Sequence, residues 1–159
     1  MGVKFLSFGK PIKVVSIYDE AIDKTAMGAE GMKAYQEAYD VSLLKFVEGE
    51  TPDYFMLGNV AGPDLVVIQQ DHYKTVLPDM EPGMSVDDMK KLKVKVVPVE
   101  QGMMLVKYFK AGIKSMIIQG DKEVDLDELM MNSIPPTIIQ ELGSFVMTRA
   151  TLGETKKKS

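Results

Sequence analysis

The stretch SLLKFVEGETPDYFMLGNV, Ser42 to Val60, constrains the fold of this chain more than any other segment. Two apolar runs, Leu43 to Val47 and Tyr54 to Val60, flank the polar connection EGETPD, which holds both Gly49 and Pro52. That pattern predicts a β-hairpin closed by a loop of about four to six residues. Strict alternation puts Leu44, Phe46, Phe55 and Leu57 on one face or its neighbour. A lone hairpin is marginal in water, so helices must cover it. The expected class is therefore α+β: a central β-hairpin or small antiparallel sheet packed by C-terminal helices.

The rest of the chain supplies those helices. In AMGAEGMKAYQEAYD, Met27, Met32, Tyr35 and Tyr39 fall at near-helical spacing, and a helix is expected from about Ala29 to Tyr39, weakened by Gly28 and Gly31. Pro63 and Asp64 suit a first helical turn, so LVVIQQDHYKTVL is assigned as helix despite its β-branched centre. The run KLKVKVV alternates until Pro98 stops it. After it, VEQGMMLVKYFKAGI carries Val99, Met103, Val106 and Ile113 as the apolar stripe of a further helix. MIIQG reads as a short strand ending in a turn, and DLDELMMNS as a short helix with an acidic start. The last helix begins near Pro135 and Pro136, docks through Ile138, Leu142, Phe145 or Val146 and Arg149, and stops at Gly153.

One domain covers 1–159. The length suits a single core, and no internal repeat of 20 to 50 residues is present. VKFLSF and PIKVVSIY are rich in β-branched and aromatic residues, so 1–18 is expected to be an extended arm able to order on a neighbour. PDMEPGMS, with two prolines and a glycine, marks 78–85 as a mobile loop.

Charge and reactive residues narrow the functional classes. Hydrophobic residues form 45% and charged residues 26% of the chain, the composition of a folded domain. Net charge is −4, and Lys and Arg gather on no periodic face, so nucleic acid is not expected as the main partner. Lys156, Lys157 and Lys158 read as a solvated end. No window approaches the 18 apolar residues of a membrane span, and the opening residues lack a signal-peptide core. The absence of cysteine excludes disulfides, thiol catalysis and Cys-based zinc sites.

The one histidine, His72, follows Asp71 directly, and neighbours in sequence share no face in helix or strand. It is expected to be a structural or surface histidine. Asp121, Glu123, Asp125 and Asp127 alternate like a calcium loop, but the required glycine and glutamate positions hold Leu126 and Asn132. Phosphate-cradling glycine motifs and nucleophile elbows are missing. No residue is assigned a catalytic, cofactor-binding or metal-ligating role, no cofactor is expected, and the chain is expected not to be an enzyme. Its 13 methionines suit core filling and adaptable contacts.

The order SLLKFVEGETPDYFML, then AGIKSMIIQGDKEV, then LMMNSIPPTIIQELGSFVMTRATLGETKKKS resembles small proteins of tailed-phage morphogenesis modules, over roughly 42–60 and 111–159. The Pro78 to Ser85 loop, the KLKVKVVP segment and the N-terminal arm depart from that family's pattern. The resemblance implies a non-enzymatic bacteriophage virion assembly protein, a minor structural component of the particle. A tail assembly chaperone absent from the mature virion, or a host-directed regulatory binding module, stays open beside it. Its partners would be other virion or assembly proteins, or copies of itself, with no membrane involved, in the virion or the host cytoplasm. Interface residues expected on the arm and hairpin are Phe5, Phe8, Val14, Ile17, Tyr18 and Phe55.

Overall fold

The structure is a computed structural model that describes residues 10–76, 82–91, 95–118 and 121–158. Its elements are β1 (Ile12–Val14), α1 (Lys24–Ala38), β2 (Tyr54–Leu57), α2 (Gly62–His72), β3 (Tyr73–Val76), α3 (Val86–Lys90), β4 (Lys95–Pro98), α4 (Gln101–Gly112), β5 (Ile113–Ile118), β6 (Lys122–Val124), α5 (Glu128–Ser133) and α6 (Pro136–Lys158). A four-stranded antiparallel sheet runs β1-β2-β5-β6, and β3 with β4 form a separate two-stranded ribbon. The α+β class with a small antiparallel sheet and C-terminal helices is what forms.

The sheet is amphipathic in the way period-two alternation requires. Val14 pairs with Phe55 and Phe55 with Met116, while Ile12 and Ile113 both pair with Leu57, so these side chains share one face. Phe55 meets Phe109 of α4 edge-on, with centroids 6.3 Å apart, and this joins sheet to helix layer. A register shift between Met56 and Leu57 bends β2 where Gly58 N–H donates to Gly112 O at 2.7 Å.

Helices α4 and α6 pack closely because Gly143 lies against the backbone of Leu105. Leu142 and Val146 on the inner side of α6 are buried, as the stripe in the sequence requires. Burying each contributes about 2 kcal/mol.

Several expectations are corrected. The Leu43–Val47 and Tyr54–Val60 runs do not form a hairpin. Tyr54–Leu57 is taken on both edges by β1 and β5, and Phe46 instead bridges to Ile22. Backbone bonds from Asp23 N–H to Lys45 O and from Val47 N–H to Ala21 O fix that alternative. Before it, Val41–Leu43 closes into a 3-10 turn capped by Asp40, whose carboxylate accepts from the Ser42 amide.

The helix expected from Ala29 to Tyr39 starts earlier, at Lys24, with Asp23 capping it through Ala26 N–H. Gly28, at φ 68° and ψ 173°, breaks its first turn, a conformation glycine adopts without penalty. The LVVIQQDHYKTVL helix forms but ends at His72, and YKTV becomes β3. In α4 the buried side is Met104, Tyr108, Phe109 and Gly112, whereas Met103 is exposed. Apolar residues stand on both sides of that helix, and the two aromatics bury more area than the rival stripe.

Gly153 does not stop α6, which continues to Lys158. A glycine inside a helix costs about 1 kcal/mol and does not forbid it.

Of the expected arm 1–18, residues 1–9 lie outside the described residues, and Ile12–Val14 is a strand of the chain's own sheet. Of the expected mobile loop 78–85, residues 78–81 lie outside the described residues, and Ser85 accepts from Asp88 N–H to start α3.

Candidate interaction site

Three features of the fold hold the chemistry-bearing groups, and the first is built on a residue that the sequence pattern concealed. Glu141 lies on α6 one residue before Leu142, so its side chain is carried toward the sheet rather than into solvent. Ser16 Oγ donates to its Oε1 at 2.6 Å, and Ile17 N–H and Tyr39 Oη donate to its Oε2 at 2.9 and 2.8 Å. The latch ties α6 to the end of β1 and to the C-terminus of α1.

Desolvation by burial raises the Glu141 carboxyl above the usual carboxylate range, and its three donors only partly offset this. Burial, and then the Glu141 charge, push the Tyr39 hydroxyl far up, so it stays a donor. Tyr39 itself sits at φ 50°, a left-handed position that bulky residues adopt only when held. Its own N–H to Tyr35 O and the Glu141 contact hold it.

Beside the latch, Tyr35 Oη accepts from Val15 N–H at 2.9 Å and donates to Val15 O. Both backbone groups of a fully buried residue are thereby satisfied.

The second feature is a cleft of about 270 Å³ at the edge of the sheet's inner face. Phe55, Met116 and Ile118 of the sheet form its floor, and Ile134, Pro135 and Ile138 of the α5–α6 junction form the wall. Asp19 and Asp53 stand on its polar side next to Ser16. Asp19 is fixed in place: Ala21 N–H donates to its Oδ1 at 2.8 Å and Asp53 N–H to its Oδ2 at 3.0 Å.

The third feature is the ribbon β3–β4. Pairing of Thr75 with Val96 and of Val76 with Lys95 leaves Val76 and Val96 on opposite faces, both exposed. Tyr73 at its base packs on the core. His72, at the junction of α2 and the ribbon, is only 1% exposed. Its Nδ1 lies 3.1 Å from Val99 O, and its buried Nε2 has no hydrogen-bond partner among the described residues. Asp71 turns the other way to meet Lys107 of α4 at 3.1 Å.

The structure distributes the expected interface residues unequally. Val14 and Phe55 are buried in the chain's own core, Ile17 is half-buried against it, and Tyr18 is 52% exposed. Phe5 and Phe8 lie outside the described residues. Phe55 does reach a surface feature, as the cleft floor. Glu141 was missed because an E-L pair on an amphipathic helix looks like its solvent boundary. Of the acidic run, Glu123 accepts from Ser115 Oγ and Asp127 caps α5 through Met130 N–H.

Among the described residues no group of three or more His, Asp or Glu side chains could hold a metal ion, and no helix is long and apolar enough to cross a membrane. No protein-family model, curated protein or solved structure matches this chain.

Proposed function

We propose that this chain is a non-enzymatic bacteriophage virion assembly protein that works through protein–protein contacts. The observation that supports this reading best is where its exposed apolar side chains lie. Among the described residues, six of the nine exposed large apolar side chains, Val66, Val67, Val76, Val86, Val96 and Met103, come from the stretch that runs from α2 into α4, while Tyr18, Leu43 and Val47 lie elsewhere. That stretch includes a two-stranded ribbon whose strands each keep one edge unpaired among the described residues. Open edges and exposed valines are what strand addition by a partner uses, through main-chain bonds and side-chain pockets together.

The buried ionisable groups support the same reading. Glu141 has both oxygens engaged by the chain itself, and Tyr35 and Tyr39 spend their hydroxyls on internal bonds. They serve packing instead of substrate. The virion setting rests on the resemblance to tailed-phage morphogenesis proteins over roughly 42–60 and 111–159.

Mass spectrometry of purified particles of the encoding phage tests the proposal. A constant ratio of this chain to the major capsid protein is the expected result. Recovery only from infected-cell lysate, bound to an assembly intermediate, would replace the structural role by a chaperone role. A monomer without partners in both fractions would overturn the reading.

A further inference from the structure

The hydrogen-bond phase of the ribbon β3–β4 fixes which of its backbone groups face outward. In an antiparallel pair, opposed residues alternate between exchanging both backbone bonds and pointing both groups away from each other. Val99 N–H donates to His72 O at 2.8 Å, so the bonded positions of this register are Lys74 with Val97 and Val76 with Lys95. Tyr73 with Pro98 and Thr75 with Val96 are then the outward-facing pairs. Two residues agree independently. Pro98, which has no N–H to give, stands at an outward position, and Tyr73 N–H turns out of the ribbon to Gln69 O of α2. Val96 on β4 and Thr75 on β3 thus present both backbone groups to edges that are open among the described residues.

Opposed residues also share a face. Lys74, Val76, Lys95 and Val97 lie on one face, Thr75 and Val96 on the other. Lys74 and Lys95 are exposed, and among the described residues neither is paired with a carboxylate. A strand laid antiparallel on β4 would exchange two bonds with Val96 and set its own residues opposite Val97, Val96 and Lys95 in turn. The first two places call for aliphatic side chains and the third for a carboxylate. The β3 edge offers Thr75 at the matching place, so β4 gives an incoming strand more apolar area.

We infer that β4 receives an extended, acidic segment of a partner protein in which two β-branched residues are followed by aspartate or glutamate. The inference rests on the proposed role of the ribbon as the contact surface, and it names the edge and the chemistry of the strand taken. A second copy of this chain fits less well. Two-fold pairing centred on Val96 would set the two Lys95 side chains at diagonal positions, about 7–8 Å apart, with like charge facing like. The net charge of −4 does not forbid an acidic partner, because physiological salt screens distant exposed charges within about 8 Å, whereas Lys95 would touch its counterpart.

The test uses the full chain labelled with 15N, titrated with the blocked peptide Ac-Thr-Ile-Val-Glu-Thr-NH2. Ac-Thr-Ile-Val-Lys-Thr-NH2, and the glutamate peptide N-methylated at its valine, are the controls. In the free chain the Val96 amide should exchange with solvent faster than that of Val97. The glutamate peptide, at millimolar concentration, should shift the Val96 amide saturably and slow its exchange, and should leave Thr75 unchanged. The N-methylated peptide lacks the N–H that would meet Val96 O and should do neither.

Lys95→Glu, at an exposed position, should weaken the glutamate peptide about twofold to fivefold and strengthen the lysine peptide, reversing their order. Val96→Pro should abolish binding and leave the internal bonds of the ribbon in place, since position 96 donates none of them. No saturable shift, protection of Thr75 in place of Val96, or equal affinity of the wild type for the two charged peptides overturns the inference. So does a wild-type dimer in sedimentation equilibrium that Val96→Pro dissociates, because the occupant would then be a second copy. Peptide binding, together with normal entry of the Val76→Lys, Val96→Lys variant into particles, would uphold this inference and overturn the assembly role of the ribbon. Failed entry without peptide binding would do the reverse.

Discussion

Tyr39 and Glu141, separated by 102 positions in sequence, meet at 2.8 Å, the tyrosine hydroxyl donating to the carboxylate Oε2. Through the same carboxylate, α6 also holds the Ser16 hydroxyl and the Ile17 amide. The closing helix is thus fastened by a polar latch as well as by Leu142 and Val146.

Removing the acceptor should cost more than removing one donor. Glu141→Ala strands three donors, and a buried group left without its partner costs about 1–3 kcal/mol, so a loss of about 3 kcal/mol or more is expected. Tyr39→Phe removes one bond and should cost about 1 kcal/mol. Urea denaturation of the two single variants and the double variant measures both. The double variant should lose less than the sum, because the two residues share one bond.

The pH dependence of the latch has a definite sign. Desolvation raises the Glu141 carboxyl in the folded state, so the fold binds that proton more tightly than the unfolded chain does. Stability from this group is therefore full below the ordinary carboxylate range and is lost as pH rises through the raised folded value. Since Glu141→Gln does not titrate there, the stability of the wild-type chain relative to Glu141→Gln should fall as pH rises across that window. Thermal melts of both proteins on one pH series read it, and a gap that widens in favour of the wild type would contradict the buried placement.

Tyr35 offers a sharper local readout. Its hydroxyl serves both the N–H and the C=O of Val15, which no water reaches. Tyr35→Phe should cost about 2–3 kcal/mol, the scale of leaving buried backbone groups unpaired. Amide exchange at Val15 should accelerate more than at the strand pairs Val14 and Phe55.

Two glycines on the α4–α6 pair should respond to alanine with opposite signs. A Cβ on Gly143 would stand 2.1 Å from Leu105 O, a backbone atom that cannot move aside alone. Gly143→Ala should force the helices apart and cost about 1–3 kcal/mol or more. A Cβ on Gly102 would meet only Gln140 Nε2, at 3.5 Å. Gly102→Ala should leave packing intact and stabilise by up to about 1 kcal/mol through helix propensity. Paired denaturation curves decide both.

What the sequence displayed and what it hid follow from the range of the interactions. The start of α6 at Pro136, its Leu142 contact and the acidic start of α5 depend on residues within a few positions and were legible, whereas the choice of Val146 over Phe145 as the more buried of the two was not. Tyr54–Leu57 was legible as a strand, but its partners were not. Pairing is decided by which remote strands offer complementary apolar faces, and here β1 and β5 displaced the adjacent Leu43–Val47 run. Glu141 was illegible for the same reason: its donors lie 102 to 125 positions away, and nothing local distinguishes it from a solvated helix glutamate. The cleft joins Asp19, Phe55, Met116 and Ile138, which only the closed fold brings together.

The ribbon supplies the last prediction. Val96 is 64% exposed and Val76 45% exposed, so neither side chain contributes much to folding. Replacing each by lysine should change stability by no more than about 0.5 kcal/mol, the usual range for surface positions. The same charges placed beside open strand edges are the device by which edge strands resist pairing. Val76→Lys with Val96→Lys should therefore melt like the wild type yet fail to enter particles when supplied in trans to a phage lacking the gene. Incorporation at the wild-type ratio would show that the ribbon is not the contact surface, whereas a lowered melting temperature would show that the ribbon packs more tightly on α2 and α4 than its exposure indicates.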